Sequence, residues 1–252
     1  MHWRKQLLIL ILLVIVVGIG GIATLHFMNN NQNSRQVRKE STTATIAGQP
    51  INAVQLSKSN SAWQNGANTV SDGKDTNSRN RPTLQLTKNA KSIIIYFSRS
   101  GSTELLASQI AQRTGADILE IVVKDPYASN YQQTLTRANE ERESQDYPAL
   151  DMTTPDLSQY QTVYLGYPIW AMTLSHPMTA FLTAYGRQLG NKKIAPFMTQ
   201  GGYGQGDSVQ RIQAILRAQG AVNDTFTPAL VVDGNKVDRD TAQVDRWVSQ
   251  TK

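Results

Sequence analysis

From Lys91 to the end of the chain, short apolar runs alternate with segments of helical period, and this alternation restricts the fold more than any other feature of the sequence. Ser92 to Phe97 is a continuous apolar run, the pattern of a strand covered on both faces. Thr103 to Thr114 follows with Leu106, Ala107, Ile110 and Ala111 on one side, and Gly115 ends it. Asp117 to Val123, Thr162 to Gly166, Ile194 to Met198 and Ala229 to Val232 read as four further strands. Tyr131 to Glu143, Met178 to Tyr185, Ser208 to Gln219 and Asp238 to Gln250 read as helices between and after them. Five strands alternating with helices predict an α/β domain with an open parallel sheet, placed at residues 90–252.

The preceding residues have a different texture. Leu7 to Leu25 is an apolar run of 19 residues, about 28 Å long as a helix, flanked by Arg4 and Lys5. Residues 1–28 are therefore expected to anchor the chain in the cell membrane in a single pass. The basic flank places the C-terminal domain outside the cytoplasm. The alternative is a signal peptide cleaved after small residues such as Gly21 and Ala23, which would leave the domain secreted. Residues 29–89 are rich in Asn, Gln, Ser and Thr without a sustained period, and are expected to form a disordered polar linker.

The chain has 252 residues, a formal charge of +6, no cysteine and 3 histidines. The lack of cysteine removes disulfides, thiolate metal sites, iron–sulfur clusters and a cysteine nucleophile, so redox chemistry would require a bound organic cofactor. A metal site is not expected. From residue 89 onward 15 basic residues face 16 acidic ones, so the basic excess belongs to the N-terminal segments. That distribution suits a tether near anionic lipid and argues against nucleic acid. His176 would be the only base for a serine hydrolase, and no Gly-x-Ser-x-Gly elbow accompanies it. The acidic stretch Glu140, Glu141, Glu143 and Asp146 reads as a solvated helix face.

Open α/β sheets bind ligands outside the carboxyl ends of their strands, at the topological switch point. Three segments occupy such positions here. Ser98-Arg99-Ser100-Gly101-Ser102-Thr103 sets hydroxyls and a glycine before a helix N-terminus, as a phosphate cradle would, though a polar turn with a helix cap has the same composition. Gly166-Tyr167-Pro168-Ile169-Trp170 offers aromatic surface to a flat ring, or contributes to local core. Thr199-Gln200-Gly201-Gly202-Tyr203 begins a glycine-rich loop able to bring backbone amides close to a ligand, or simply mobile.

These three segments, from Tyr96 to Thr103, Leu165 to Trp170 and Pro196 to Gly202, resemble the flavin-contacting segments of the flavodoxin family, in particular its short flavodoxin-like members. The resemblance spans Lys91 to Val232. It implies a flavodoxin-like open five-stranded parallel sheet of order 2-1-3-4-5 with helices on both faces, and FMN as a noncovalent cofactor. The phosphate would rest on Ser98, Arg99, Ser100, Gly101, Ser102 and Thr103. The flavin ring would lie against Gly166, Tyr167, Pro168, Ile169 and Trp170, with Thr199, Gln200, Gly201, Gly202 and Tyr203 closing one side. Ser102 stands where Asn is common, and Gln200 where related flavin reductases often place His. The expected role is electron transfer with a redox partner or small-molecule electron acceptor. The alternatives are an FMN-dependent NAD(P)H quinone or small-molecule reductase and a non-catalytic binding module on the same scaffold. No catalytic residue is assigned by the resemblance.

Overall fold

The computed structural model describes residues 44–53 and 81–251, which fall in one compact unit. The Leu7 to Leu25 run lies outside the described residues. Among those described, no helix is long and apolar enough to cross a membrane. The elements run β1 (Thr45–Ile46), β2 (Gln49–Pro50), β3 (Leu84–Gln85), β4 (Ser92–Tyr96), α1 (Ser102–Thr114), β5 (Asp117–Glu120), α2 (Tyr131–Ser144) and β6 (Thr162–Trp170). They continue with β7 (Thr173–Leu174), α3 (His176–Tyr185), a 3₁₀ turn at Gly186–Leu189, β8 (Lys193–Gln200), α4 (Ser208–Ala218), β9 (Thr225–Phe226), β10 (Leu230–Asp233) and α5 (Thr241–Thr251).

The main sheet has the order β10-β8-β6-β4-β5-β3, with β7 paired to β6 and β9 to β8. β10, β8, β6, β4 and β5 are mutually parallel, while β3 and β7 pair antiparallel. The sheet is thus mixed and eight-stranded, where the alternation of apolar runs and helical segments predicted five parallel strands. Strands of two residues carry too little apolar pattern to be seen in sequence.

Side-chain alternation along the central strands divides the core in two, as period two requires. Ile93, Ile95, Val163, Leu165, Ile194 and Met198 face one side, where α3 and α4 cover them with Met178, Phe181, Ile212 and Leu216. Ile94, Tyr96, Tyr164, Ala195 and Phe197 face the other, covered by Leu106 and Ile110 of α1 and Val244, Trp247 and Val248 of α5.

Two pieces of the expected linker are ordered. β1 and β2 form an antiparallel hairpin, and Ile46, Ile51 and Ala53 from it join the core beside α1. β3 extends the sheet edge, with Thr83 buried and its N–H donating to Glu120 Oε2 at 2.8 Å. Ten residues holding three core side chains give no period to detect. The folded domain therefore starts earlier than residue 90.

Candidate functional site

The first ligand segment sits between β4 and α1 as expected. Gly101 is the N-cap of α1 with φ 84°, and a Cβ there would lie 2.7 Å from the Cα of Ala53. Any other residue would be strained and would displace the hairpin. The Ser98 hydroxyl is buried without a hydrogen-bond partner among the described residues. Thr103 Oγ1 and Thr199 Oγ1 share a hydrogen bond of 2.8 Å, which ties this segment to the end of β8.

The second segment is not a loop. β8 runs alongside β6 as far as the Pro168–Thr199 pair, so β6 keeps its strand geometry through Trp170. It then reverses over Ala171 (φ 48°) and Met172 (φ 61°) into β7. Both turn residues are left-handed, the requirement of a two-residue hairpin that matches sheet twist. Tyr167 points its side chain into the core, fully buried, and its hydroxyl donates to Ser208 Oγ at 3.2 Å. Gly166 makes room for Phe197, whose ring would lie 2.1 Å from a Cβ at 166. Trp170 is half-buried and meets Phe97, Tyr127 and His176 edge-on, with centroids 5.9, 5.0 and 5.6 Å away.

The third segment begins inside β8. Gln200 ends that strand, and its Oε1 accepts from the N–H groups of Gly202 and Gly204, so the side chain shapes its own glycine loop. Tyr203 stands 68 % exposed.

The three segments converge on one cleft of about 280 Å³. Arg99, Ser100 and Ser102 line its polar end, Pro168, Ile169 and Trp170 a flat apolar wall, and Thr199, Gln200 and Gly201 the third side. Ser98, Gly101, Thr103, Gly166, Tyr167, Gly202 and Tyr203 are not among its lining residues, and those with described contacts shape it from behind.

Sequence reasoning missed two contributors. Gly234 and Asn235, just after β10, close the polar end. Tyr131, Leu135, Ala138 and Arg142 of α2 form the facing side. The spacing of Tyr131, Leu135 and Ala138 is an apolar helical stripe, and Tyr131 and Leu135 remain 43 % and 36 % exposed, so the stripe faces the cleft in place of core.

Behind Trp170 lies a buried charged network. Glu141, expected on a solvated face, is 8 % exposed. Its Oε2 accepts from the Tyr127 hydroxyl at 2.6 Å and pairs with His176 Nδ1 at 2.7 Å, while Oε1 accepts from Arg137 Nε at 2.7 Å. Burial would raise the Glu141 carboxyl, but hydrogen bonds from His176, Tyr127 and Arg137 together hold it below the usual range. His176, which opens α3, is 3 % exposed, yet its ring reaches the cleft lining.

A second buried cluster lies under β4. The Tyr96 hydroxyl stands 3.3 Å from both Glu104 Oε1 and Glu120 Oε2. Burial pushes the Glu120 carboxyl up to about 7, against hydrogen bonds from Thr83 and Tyr96 that favour its ionised form.

No curated protein matches this sequence. Among solved structures, a protein assigned as a flavoprotein from Bacteroides uniformis is 22 % identical and superposes with a TM-score of 0.53, over 64 % of this chain and 99 % of that one. A flavoprotein in complex with FMN from Lactobacillus acidophilus is 19 % identical, with a TM-score of 0.48 over 60 % of this chain and 97 % of its own. At such identities the first likeness establishes the fold alone. The flavodoxin family profile matches residues 91–250, from the residue before β4 to the last turn of α5, and the chain therefore belongs to the flavodoxin family.

Proposed function

We propose that this chain is an FMN-binding electron-transfer flavoprotein, held at the cell membrane by residues 7–25 with its flavodoxin-like domain outside the cytoplasm. The observation that carries the cofactor reading is the chemical division of the cleft. At one end Ser100 and Ser102 stand at the N-terminus of α1, donors suited to a phosphate. At the other end Ile169 and Trp170 offer a flat apolar wall suited to a ring. FMN, when bound, supplies the redox chemistry. The chain's residues hold the phosphate, orient the ring and exclude water from one of its faces.

The experiment is to add FMN and FAD separately to the purified protein and follow binding by the quenching of flavin fluorescence. FMN is expected to bind saturably and FAD weakly. Trp170→Ala should weaken FMN binding by about 1 to 3 kcal/mol. Undiminished FMN affinity in that variant, with lowered thermal stability, would make Trp170 purely a packing residue for Phe97 and Tyr127.

A second reading, an FMN-dependent reductase using NAD(P)H, is favoured by one observation. Although Gln200 removes the His that related reductases carry in the glycine segment, His176 reaches the same cleft from α3 and is held by Glu141. A positioned acid typically contributes 10²- to 10⁴-fold to proton transfer. Rapid anaerobic bleaching of the FMN-loaded protein by NADH or NADPH would favour the reductase; slow bleaching supports the carrier.

A further inference from the structure

Beyond the Ala171–Met172 turn lies a second cavity, of about 330 Å³, that shares Arg142, Ala171 and His176 with the first. Its volume is in the range that holds a small ligand. Two guanidinium groups face it, Arg142 from α2 and Arg211 from α4, against one carboxylate, Asp207, exposed on the rim. The Arg142 side chain makes no hydrogen bond or ion pair with another described residue. Arg211 is held in place by donating from Nη2 to the Tyr147 hydroxyl at 2.6 Å. The Thr173 hydroxyl on the same wall is buried and has no partner among the described residues. The His176 ring engages Glu141 through Nδ1, which leaves Nε2 as its remaining nitrogen.

The partition between the two cavities is closely packed. Ala171 and Met172 both hold positive φ, a conformation that side-chain-bearing residues rarely adopt. Two contacts fix it. A Cβ at Gly206 would lie 1.6 Å from the Met172 carbonyl oxygen, so only glycine permits the packing, and the Asp207 N–H donates to that oxygen at 3.1 Å. Strain of this kind persists where the surroundings over-determine it, and it concentrates at ligand clamps.

We infer that this second cavity binds a small organic anion, a carboxylate or sulfonate. Arg142 and Arg211 hold the anionic group, and Thr173 donates a hydrogen bond to it. The binding of the anion does not rest on the flavoprotein reading. Guanidinium groups suit this task because their planar donors match a carboxylate or sulfonate. The net positive lining selects against neutral molecules of the same shape.

The test is calorimetric titration of the full chain, with and without FMN, using naphthalene-2-sulfonate and its neutral analogue naphthalene-2-sulfonamide. The sulfonate should bind about tenfold more tightly, the scale of one charge-assisted contact. In the Arg142→Gln/Arg211→Gln protein that preference should fall to within about twofold. Because Arg211 is half-buried, Arg142→Gln alone serves as the control for folding, and it should remove at least half of the preference in free-energy terms. FMN affinity should stay unchanged in Arg211→Gln, because Arg211 lines the second cavity and not the FMN cleft. Equal affinity for the two probes, or a preference that survives the double substitution, overturns the inference. So does a large loss of FMN affinity in Arg211→Gln, which would make the second cavity part of the flavin site. Failure of FMN to bind the unaltered chain, with the sulfonate preference intact, would instead overturn the flavoprotein reading and leave the anion site standing.

Discussion

Two carboxylates of this domain, the buried Glu141 and the half-buried Glu120, each bonded to a tyrosine hydroxyl, are shifted in opposite directions. Glu141 meets Tyr127, His176 and the Arg137 guanidinium, and these outweigh burial to keep it ionised. Glu120 meets the Thr83 amide and the Tyr96 hydroxyl, and there burial prevails, so the carboxyl is raised to about 7. The difference shows that in this domain the donor set decides a buried carboxylate's charge, and burial decides it only where the donors are too weak. It also divides the domain by role. The ionised network stands behind Trp170 at the cleft, where a fixed charge orients His176. The protonatable cluster ties β3 to β5 at the sheet edge.

The largest effect is expected at Glu141. Glu141→Ala removes the acceptor of three donors at once, leaving His176 without its carboxylate and Arg137 with only the exposed Asp125 carboxylate as counter-charge among the described residues. Breaking a buried ion pair costs ~3 to 5 kcal/mol, and because Arg137 keeps a quarter of its side chain in solvent the lower end applies, about 3 kcal/mol. Urea denaturation at pH 7 measures it. A loss below about 1 kcal/mol would mean that the network contributes no more than a surface pair, and the contrast with Glu120 would lose its basis.

This network also marks the limit of what could be read from sequence. The apolar runs of β4, β6 and β8 and the stripe of α1 announce themselves because their partners lie on a regular period, and from them the α/β architecture and the carboxyl-end location of the site follow. Glu141 looks like any carboxylate on a polar helix, because the residues that bury it come from elsewhere in the chain: Tyr127 precedes α2, and His176 lies 35 residues on. The Gly166 to Trp170 segment reads as a loop because it holds a glycine and a proline. The β8 strand beside it, which keeps it extended, is specified some thirty residues later. The hairpin at 45–50 gives no signal, since Ile46, Ile51 and Ala53 are too few to form a pattern and only the surface of α1 gives them a place to bury.

The next effect is a pH dependence at Glu120. Between the ordinary carboxylate range and pH about 7, the folded protein holds a proton at this site that the unfolded chain has already released. Folding therefore takes up a proton in that window, and stability falls as pH rises through it. At 1.36 kcal/mol per unit of displacement the loss is at most about 3 kcal/mol, and solvent access at the sheet edge lowers it to about 2 kcal/mol. Glu120→Gln, which keeps the hydrogen-bonding shape without the charge, should flatten the stability profile between pH 5 and 8 and raise stability at the alkaline end. A profile unchanged by the substitution would mean that another group titrates there.

The smallest effect sharpens the comparison most, because it removes one donor from Glu141 and nothing else. Tyr127→Phe deletes the hydroxyl 2.6 Å from Oε2 and keeps the ring, which still packs against Phe97 and Trp170 and still lies under the Arg137 guanidinium at 4.0 Å. One hydrogen bond to a charged acceptor is lost, while His176 and Arg137 remain, so the cost should be about 1 to 1.5 kcal/mol at pH 7. The sign on the acid side follows from the same proton counting. Glu141 is lowered in the fold, so it stabilises above the ordinary carboxylate range and that contribution is lost as pH falls through its folded value. With one donor gone, the folded value moves up toward the unfolded one, the contribution shrinks, and acid unfolding should begin at a higher pH. If Tyr127→Phe leaves the acid midpoint where it was while lowering stability at every pH equally, the hydroxyl contributes packing rather than charge stabilisation, and Arg137 and His176 alone set Glu141 apart from Glu120.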